Sequence, residues 1–200
     1  GVLVNTDFLR NAAMETDTGM GKRVIVLGGG NVAFDCARTS RRLGAEDIHL
    51  ACLEARENML ADEEEICGAQ EEGIHIHPAH TFEAIVGKDK VEGVRFSRVK
   101  SFTFDENRRA IIEKEEGSEY VIPADTVIFA VGQRTDITPE AGLTLGRGNS
   151  IAVQPGTCKT SCTGIYACGD AVYGTHTVIE AVAAGRAAAS EIDRDLGGNG

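Results

Sequence analysis

Gly28, Gly30 and Ala33 stand at Gly-x-Gly-x-x-Ala spacing within Gly28-Gly29-Gly30-Asn31-Val32-Ala33, and an acid, Glu54, follows some twenty residues later. Residues of these types at this spacing can hold the pyrophosphate of a dinucleotide. Gly28 permits a tight turn out of a strand. Gly30 has no side chain, so phosphate can approach the backbone. Ala33 is small enough for the following helix to pack closely. The free N–H groups and dipole at that helix start meet the phosphate charge. A glycine turn alone can be merely structural, so the elements on either side decide the reading.

Those elements have the required order. Val24 to Leu27 is a short apolar run, as expected of a strand buried on both faces. From Asn31 the spacing predicts a helix to about Leu43, with Gly44 placed for its C-terminal turn. Asp47-Ile48-His49-Leu50-Ala51-Cys52-Leu53-Glu54 reads as a second strand, which completes a right-handed crossover unit. Glu54, at its end, is placed to accept from both hydroxyls of a ribose. A 2′-phosphate there would meet like charge, so NADH is expected over NADPH. Arg56, with Arg38, Arg41 and Arg42 close in sequence, offers phosphate contacts that keep NADPH open as the alternative.

Further along, Ala61 to Glu72 reads as an acidic helix and Gly73 to His80 as a third strand. His75 and His77 then share one face with His80 just beyond. Three close histidines suggest a metal, but no cysteine or carboxylate lies at ligand spacing within the strand, and no structural metal is expected. Phe82 to Val121 alternates apolar and polar residues. Val91–Phe96, Ala110–Lys114 and Glu119–Ile122, around a turn with Asp105, Glu106 and Asn107, predict a small antiparallel meander. Ala124 to Gln133 returns as a buried strand that ends at Gly132. Thr138 to Lys159 reads as irregular, Gly164 to Asp170 as a short strand, His176 to Ser190 as a helix, and residues 197–200 as a loose tail.

Composition bounds the possibilities. The 200 residues are 42% hydrophobic and 26% charged, as in a globular protein with a core of its own. A formal charge of −11 argues against nucleic acid or an anionic membrane as partner. No apolar run is long enough to span a bilayer. Cys36, Cys52, Cys67, Cys158, Cys162 and Cys168 include no Cys-x-x-Cys pair. They read as ordinary thiols of a cytoplasmic protein, with Cys158 and Cys162 close enough for a regulatory pair.

Four ordered motifs together carry a resemblance: Gly28–Ala33, then Val91-Glu92-Gly93-Val94-Arg95-Phe96, then Ala124 to Gln133, then Ala167-Cys168-Gly169-Asp170-Ala171-Val172. The chain resembles the glutamate synthase small-subunit family, flavoproteins of the pyridine nucleotide-disulfide oxidoreductase superfamily. The flavin region of dihydropyrimidine dehydrogenase is similar. The resemblance implies an α/β fold: a Rossmann-like parallel sheet with helices and a small meander, then the C-terminal part of a second, FAD-binding Rossmann-like domain. It implies residues 1–20 as a linker from an absent N-terminal half, 21–136 as an NAD(P)H-binding domain and 137–200 as an FAD-domain segment. Gly132 would close a turn beside the nicotinamide nucleotide. Gly169 and Asp170 would meet the flavin ribityl chain, with the helix start near Thr177 and Val178 facing polar flavin atoms. NADPH-using members carry paired arginines at the positions of Leu53 and Glu54, and this sequence departs from them there.

The function so implied is electron input. NAD(P)H would reduce FAD, shared with the absent half, and electrons would pass to an iron–sulfur domain or a large partner subunit. The cofactors carry that chemistry, and no residue is assigned as catalytic acid, base or nucleophile. The alternative is a non-catalytic NAD(H)-binding sensor, which needs no flavin site. A metal-dependent hydrolase built on His75, His77 and His80 lacks a water-activating carboxylate in the sequence.

Overall fold

Why β2 (Arg23–Leu27) is apolar at every inner position becomes clear from its two faces. Val24 and Val26 point into one core with Phe8, Phe34, Ile48, Leu50 and Ile66. Ile25 and Leu27 point into a second core with Val94, Phe96, Ile122 and Val127. Successive strand residues alternate faces, so a strand covered on both sides cannot afford polar alternation. Val24, Ile25 and Val26 are 0% exposed. Complete burial of such side chains stabilises by about 1.5–3 kcal/mol each.

The computed structural model describes residues 1–106, 110–138 and 142–199. Asn107 of the expected turn, and residues 139–141 and 200 of the expected C-terminal segment, lie outside them. The chain divides into two units, Gly1–Val131 and Gly132–Gly200.

In the first unit, β1 (Val2–Val4), β2, β3 (Asp47–Ala51), β4 (His75–His77) and β9 (Thr126–Phe129) form a five-stranded sheet in the order β1-β9-β2-β3-β4. All its pairings are parallel. Helices α1 (Asn5–Ala13), α2 (Asn31–Arg42) and α3 (Glu63–Glu71) contribute Phe8, Phe34 and Ile66 to the first core. The other face is covered by an antiparallel sheet of β5 (His80–Val86), β6 (Gly93–Phe104), β7 (Ala110–Lys114) and β8 (Tyr120–Pro123). Long β6 pairs with β5 along its first half, and with β8 and then β7 along its other edge. The expected meander is therefore the second covering layer of the parallel sheet.

Two expectations of the first unit are corrected. Residues 1–20 are not simply a linker: Val2–Val4 pair with Val127–Phe129, and Phe8 of α1 is buried in the first core. The third strand does not run to His80. It stops at His77, where Pro78 supplies no N–H and Ala79 takes φ +54°, and β5 begins in the other sheet. The two units divide after Val131, where the sequence predicts a boundary at 136/137.

The second unit is sparser. It holds isolated bridges Leu145–Ile151 and Lys159–Tyr166, α4 (Asp170–Tyr173) and α5 (Val178–Asp195). Gly164 to Asp170 is not a strand; only Tyr166 bridges there, and Asp170 already opens α4. The loop before α4 is tied to α5: Glu191 accepts from the Cys158 N–H at 2.6 Å, and Asp195 pairs with Lys159 at 2.7 Å.

Candidate functional site

The strand order reverses between β2 and β9. From β2 the chain crosses through α2 to β3 on one side, whereas β9 lies on the other. In an open α/β sheet, ligands bind outside the strand carboxyl ends at such a switch point. The glycine turn sits there. The Ala130 N–H donates to the Leu27 carbonyl at 2.8 Å, and the Gly28 N–H to the Ala51 carbonyl at 2.9 Å.

The three glycines have different reasons to be glycine. Gly28 takes φ +144°, and a Cβ there would lie 2.4 Å from the Ala130 carbonyl oxygen and 3.3 Å from the Ala33 Cβ. A Cβ on Gly29 would meet Cys52 Cβ and Glu54 Oε2, each at 2.8 Å. Both are therefore required by the fold itself. Gly30 is not: a Cβ there meets nothing within 4 Å. Its backbone is ordinary and extended, φ −96° and ψ 172°, at the N-cap of α2 with no side-chain cap. Open space before uncapped N–H groups fits a phosphate.

Two side-chain features frame this opening. Asn31 donates through Nδ2 to the Asp62 carboxylate at 2.9 Å, and its Oδ1 accepts from the Asp62 N–H at 2.8 Å. The Ala61 N–H donates to the Gly29 carbonyl at 3.1 Å. The start of α3 is thus fastened to the glycine turn, a link across 31 residues with no periodic signal in the sequence. Glu54 is brought in by the turn after β3, with its carboxylate over Gly29. Arg56 is drawn to Glu63 at 2.5 Å. Val32 packs partly buried against the first core, and Ala33 is fully buried, so neither side chain faces a ligand. Beside the turn, Cys52 is buried and its thiol pushed up to about 12, chiefly by burial and then by Glu54.

The remaining expected residues lie in the second unit and are described on their own. Gly132 takes φ +105° with nothing within 4 Å of a built Cβ. Gly169 takes φ +62° at the N-cap of α4, and Asp170 Oδ1 accepts from the His176 N–H at 3.3 Å. Thr177 caps α5 in a reciprocal box with Glu180, whose carboxylate sits low because it accepts from the Thr177 hydroxyl and N–H. Val178 is 80% exposed.

Among the described residues no group of three His, Cys, Asp or Glu is arranged to hold a metal ion, and no helix is long and apolar enough to cross a membrane. A groove of about 460 Å³ between α1 and α2 is lined by Leu9, Asp35, Thr39 and Arg42 and includes none of the glycine-turn residues.

Residues 2–188 match the pyridine nucleotide-disulphide oxidoreductase family. The chain belongs to this family. Among its relatives, the chain is 37% identical over 199 residues to the NADP(+)-dependent formate dehydrogenase subunit beta of Moorella thermoacetica, covering 98% of this chain and 28% of that protein. It is 36% identical over 176 residues to the putative glutamate synthase (NADPH) small chain of Cereibacter sphaeroides, covering 86% and 43%. The chain thus spans less than half of either relative. Proteins of known structure share the fold. Thioredoxin reductase of T. acidophilum superposes with a TM-score of 0.72 at 22% identity, covering 98% of this chain and 57% of that one. FprA of Mycobacterium tuberculosis superposes with a TM-score of 0.71 at 18% identity, covering 98% and 58%.

Proposed function

We propose that the chain is the NAD(P)H-binding part, with a C-terminal flavin-binding segment, of an FAD-dependent oxidoreductase. Electrons pass from NAD(P)H to FAD and on to iron–sulfur centres or a partner subunit, in a cytoplasmic assembly similar to glutamate synthase. The observation that carries this reading is the open space before Gly30 at the switch point between β2 and β9. The family membership and the subunit names of the relatives support it.

The nucleotide supplies a hydride and the flavin accepts it; the protein supplies binding and orientation. The N–H groups at the start of α2 meet the pyrophosphate. Asn31, held by Asp62, fixes that helix start. Glu54 accepts from the adenosine ribose hydroxyls. In the second unit, Asp170 accepts from flavin ribityl hydroxyls, and the N-terminus of α5 at Thr177 and Val178 faces polar flavin atoms.

Glu54 favours NADH, because its carboxylate repels a 2′-phosphate and Arg56 is engaged by Glu63. The relatives named above carry NADP(+) or NADPH in their names. Titrating both nucleotides side by side against this chain and its Glu54→Ala variant tests the assignment. NADH should bind the wild-type chain more tightly, and Glu54→Ala should weaken NADH by roughly tenfold, the loss of hydrogen bonds to a charged group. Equal or tighter NADPH binding by the wild-type chain contradicts the NADH assignment. Failure of both nucleotides to bind contradicts the site itself.

A further inference from the structure

The turn that carries Glu54 is braced by a pair of histidines. His49 of β3 and His77 of β4 meet ring to ring, with Nδ1 of the first 2.8 Å from Nε2 of the second. The other nitrogen of His49, Nε2, lies 3.1 Å from the Asp47 carboxylate. Asp47 only accepts, so His49 Nε2 carries a proton, and its Nδ1 accepts from the His77 Nε2–H. The bond between the rings needs at least one of them neutral. Two imidazolium rings would bring two N–H donors face to face.

The groups around the pair come from five further positions. His75 of β4 stacks on His49 at 5.0 Å. His80 of β5 stands edge-on to His77 at 5.7 Å, with Tyr120 of β8 edge-on to His80 and Arg98 of β6 acting on Tyr120. Asp47 is the carboxylate facing His49. Burial, then the charges of His49, His80 and His75, push His77 down to about 4. Burial lowers His49 too, against the pull of Asp47.

Backbone bonds connect this pair to the nucleotide site. The His77 carbonyl accepts from the Cys52 N–H at 3.2 Å, the Cys52 carbonyl from the His80 N–H at 2.8 Å, and the Glu54 carbonyl from the Ala79 N–H at 2.7 Å. Residues 77–80 are therefore laced to residues 52–54, and the ring pair pins His77 to β3.

We propose that the His49–His77 pair positions Glu54: the neutral pair holds the 52–54 turn in place, and protonating it lets Glu54 move away from the ribose. This rests on the reading of Glu54 as the ribose acceptor. The sign follows from the depressed folded value of His77. Its contribution is complete above the unfolded value of about 6.5 and is lost as pH falls toward about 4.

The test is NADH affinity between about pH 7.5 and pH 4 for the wild-type chain and for His77→Gln, with histidine ring NMR titrations of the wild type in parallel. A glutamine amide can donate to His49 Nδ1 and does not titrate, whereas protonation of Glu54 itself acts equally in both chains. Across the range wild-type affinity should fall at least about twofold further than that of His77→Gln. The fall should coincide with the His77 titration midpoint. If His77→Gln does not fold, His49→Gln takes its place, and the coincidence of midpoints in the wild type decides alone if neither folds. Parallel pH profiles, or a flat wild-type profile, overturn the inference alone. Absence of NADH binding at the upper pH overturns the proposed function, and the inference falls with it.

Discussion

Asn31 and Asp62 clasp each other twice, amide to carboxylate and carbonyl oxygen to backbone N–H. Asp62 stands at the N-cap of α3, where an aspartate ordinarily bonds its own helix, yet it makes no capping bond. Its carboxylate is committed to the start of α2 instead. Asp62→Ala should therefore weaken nucleotide binding more than it weakens α3. We expect affinity to fall by roughly fivefold to tenfold, the worth of about one hydrogen bond, with little change in helix content by circular dichroism. Lost helix content with unchanged affinity would show that Asp62 serves α3 alone.

Gly28 is a stability position. Any side chain there meets the Ala130 carbonyl at 2.4 Å, in a backbone conformation that L-residues rarely adopt. Gly28→Ala should destabilise the first unit by about 1–3 kcal/mol or more, read as a lowered denaturation midpoint. An unchanged midpoint would mean that the turn adjusts freely.

How far the sequence revealed this site depended on the range of each signal. The glycine spacing and the apolar run before it are local, and both place the turn at the end of β2. Glu54 follows from the strand that must end near it. The Asn31–Asp62 clasp joins residues 31 apart and depends on where α3 begins, which is a tertiary fact. The pairing of His49 with His77 leaves no local signal, because parallel register, not spacing, brings β3 beside β4. The edge strand β1 has three residues, too few for a period, and its pairing partner lies at Val127–Phe129.

Thiol accessibility should follow burial. Cys36 and Cys52 are buried, with thiols pushed up to about 12 chiefly by burial. Cys67 is exposed on α3, although its hydrogen bond to Glu63 raises its value as well. A thiol reagent at neutral pH, read by mass spectrometry of peptides, should label Cys67 well before Cys36 or Cys52. Early labelling of Cys52 would mean that the turn beside Gly29 opens readily.

These 200 residues contain one Gly-x-Gly-x-x-Ala turn, and it belongs to the first unit. The flavin contacts proposed at Asp170 and Thr177 lack a matching turn for flavin phosphates within the sequence. Ordering a ligand costs about 4–15 kcal/mol, which two such contacts do not offset. The purified chain should therefore be colourless and should not reduce dyes with NADH. Flavin absorption and NADH-dependent dye reduction by this chain alone would show that it holds FAD without a second glycine turn.

The most direct test of the nucleotide site is the affinity of Gly30→Val for NADH beside that of the wild type, with thermal melting of both. A Cβ there meets nothing within 4 Å, so the melting temperature should be nearly unchanged. It should instead occupy the space assigned to pyrophosphate and weaken NADH by roughly tenfold to hundredfold, as for an overpacked contact. Wild-type affinity in a folded Gly30→Val chain would show that phosphate does not approach this turn.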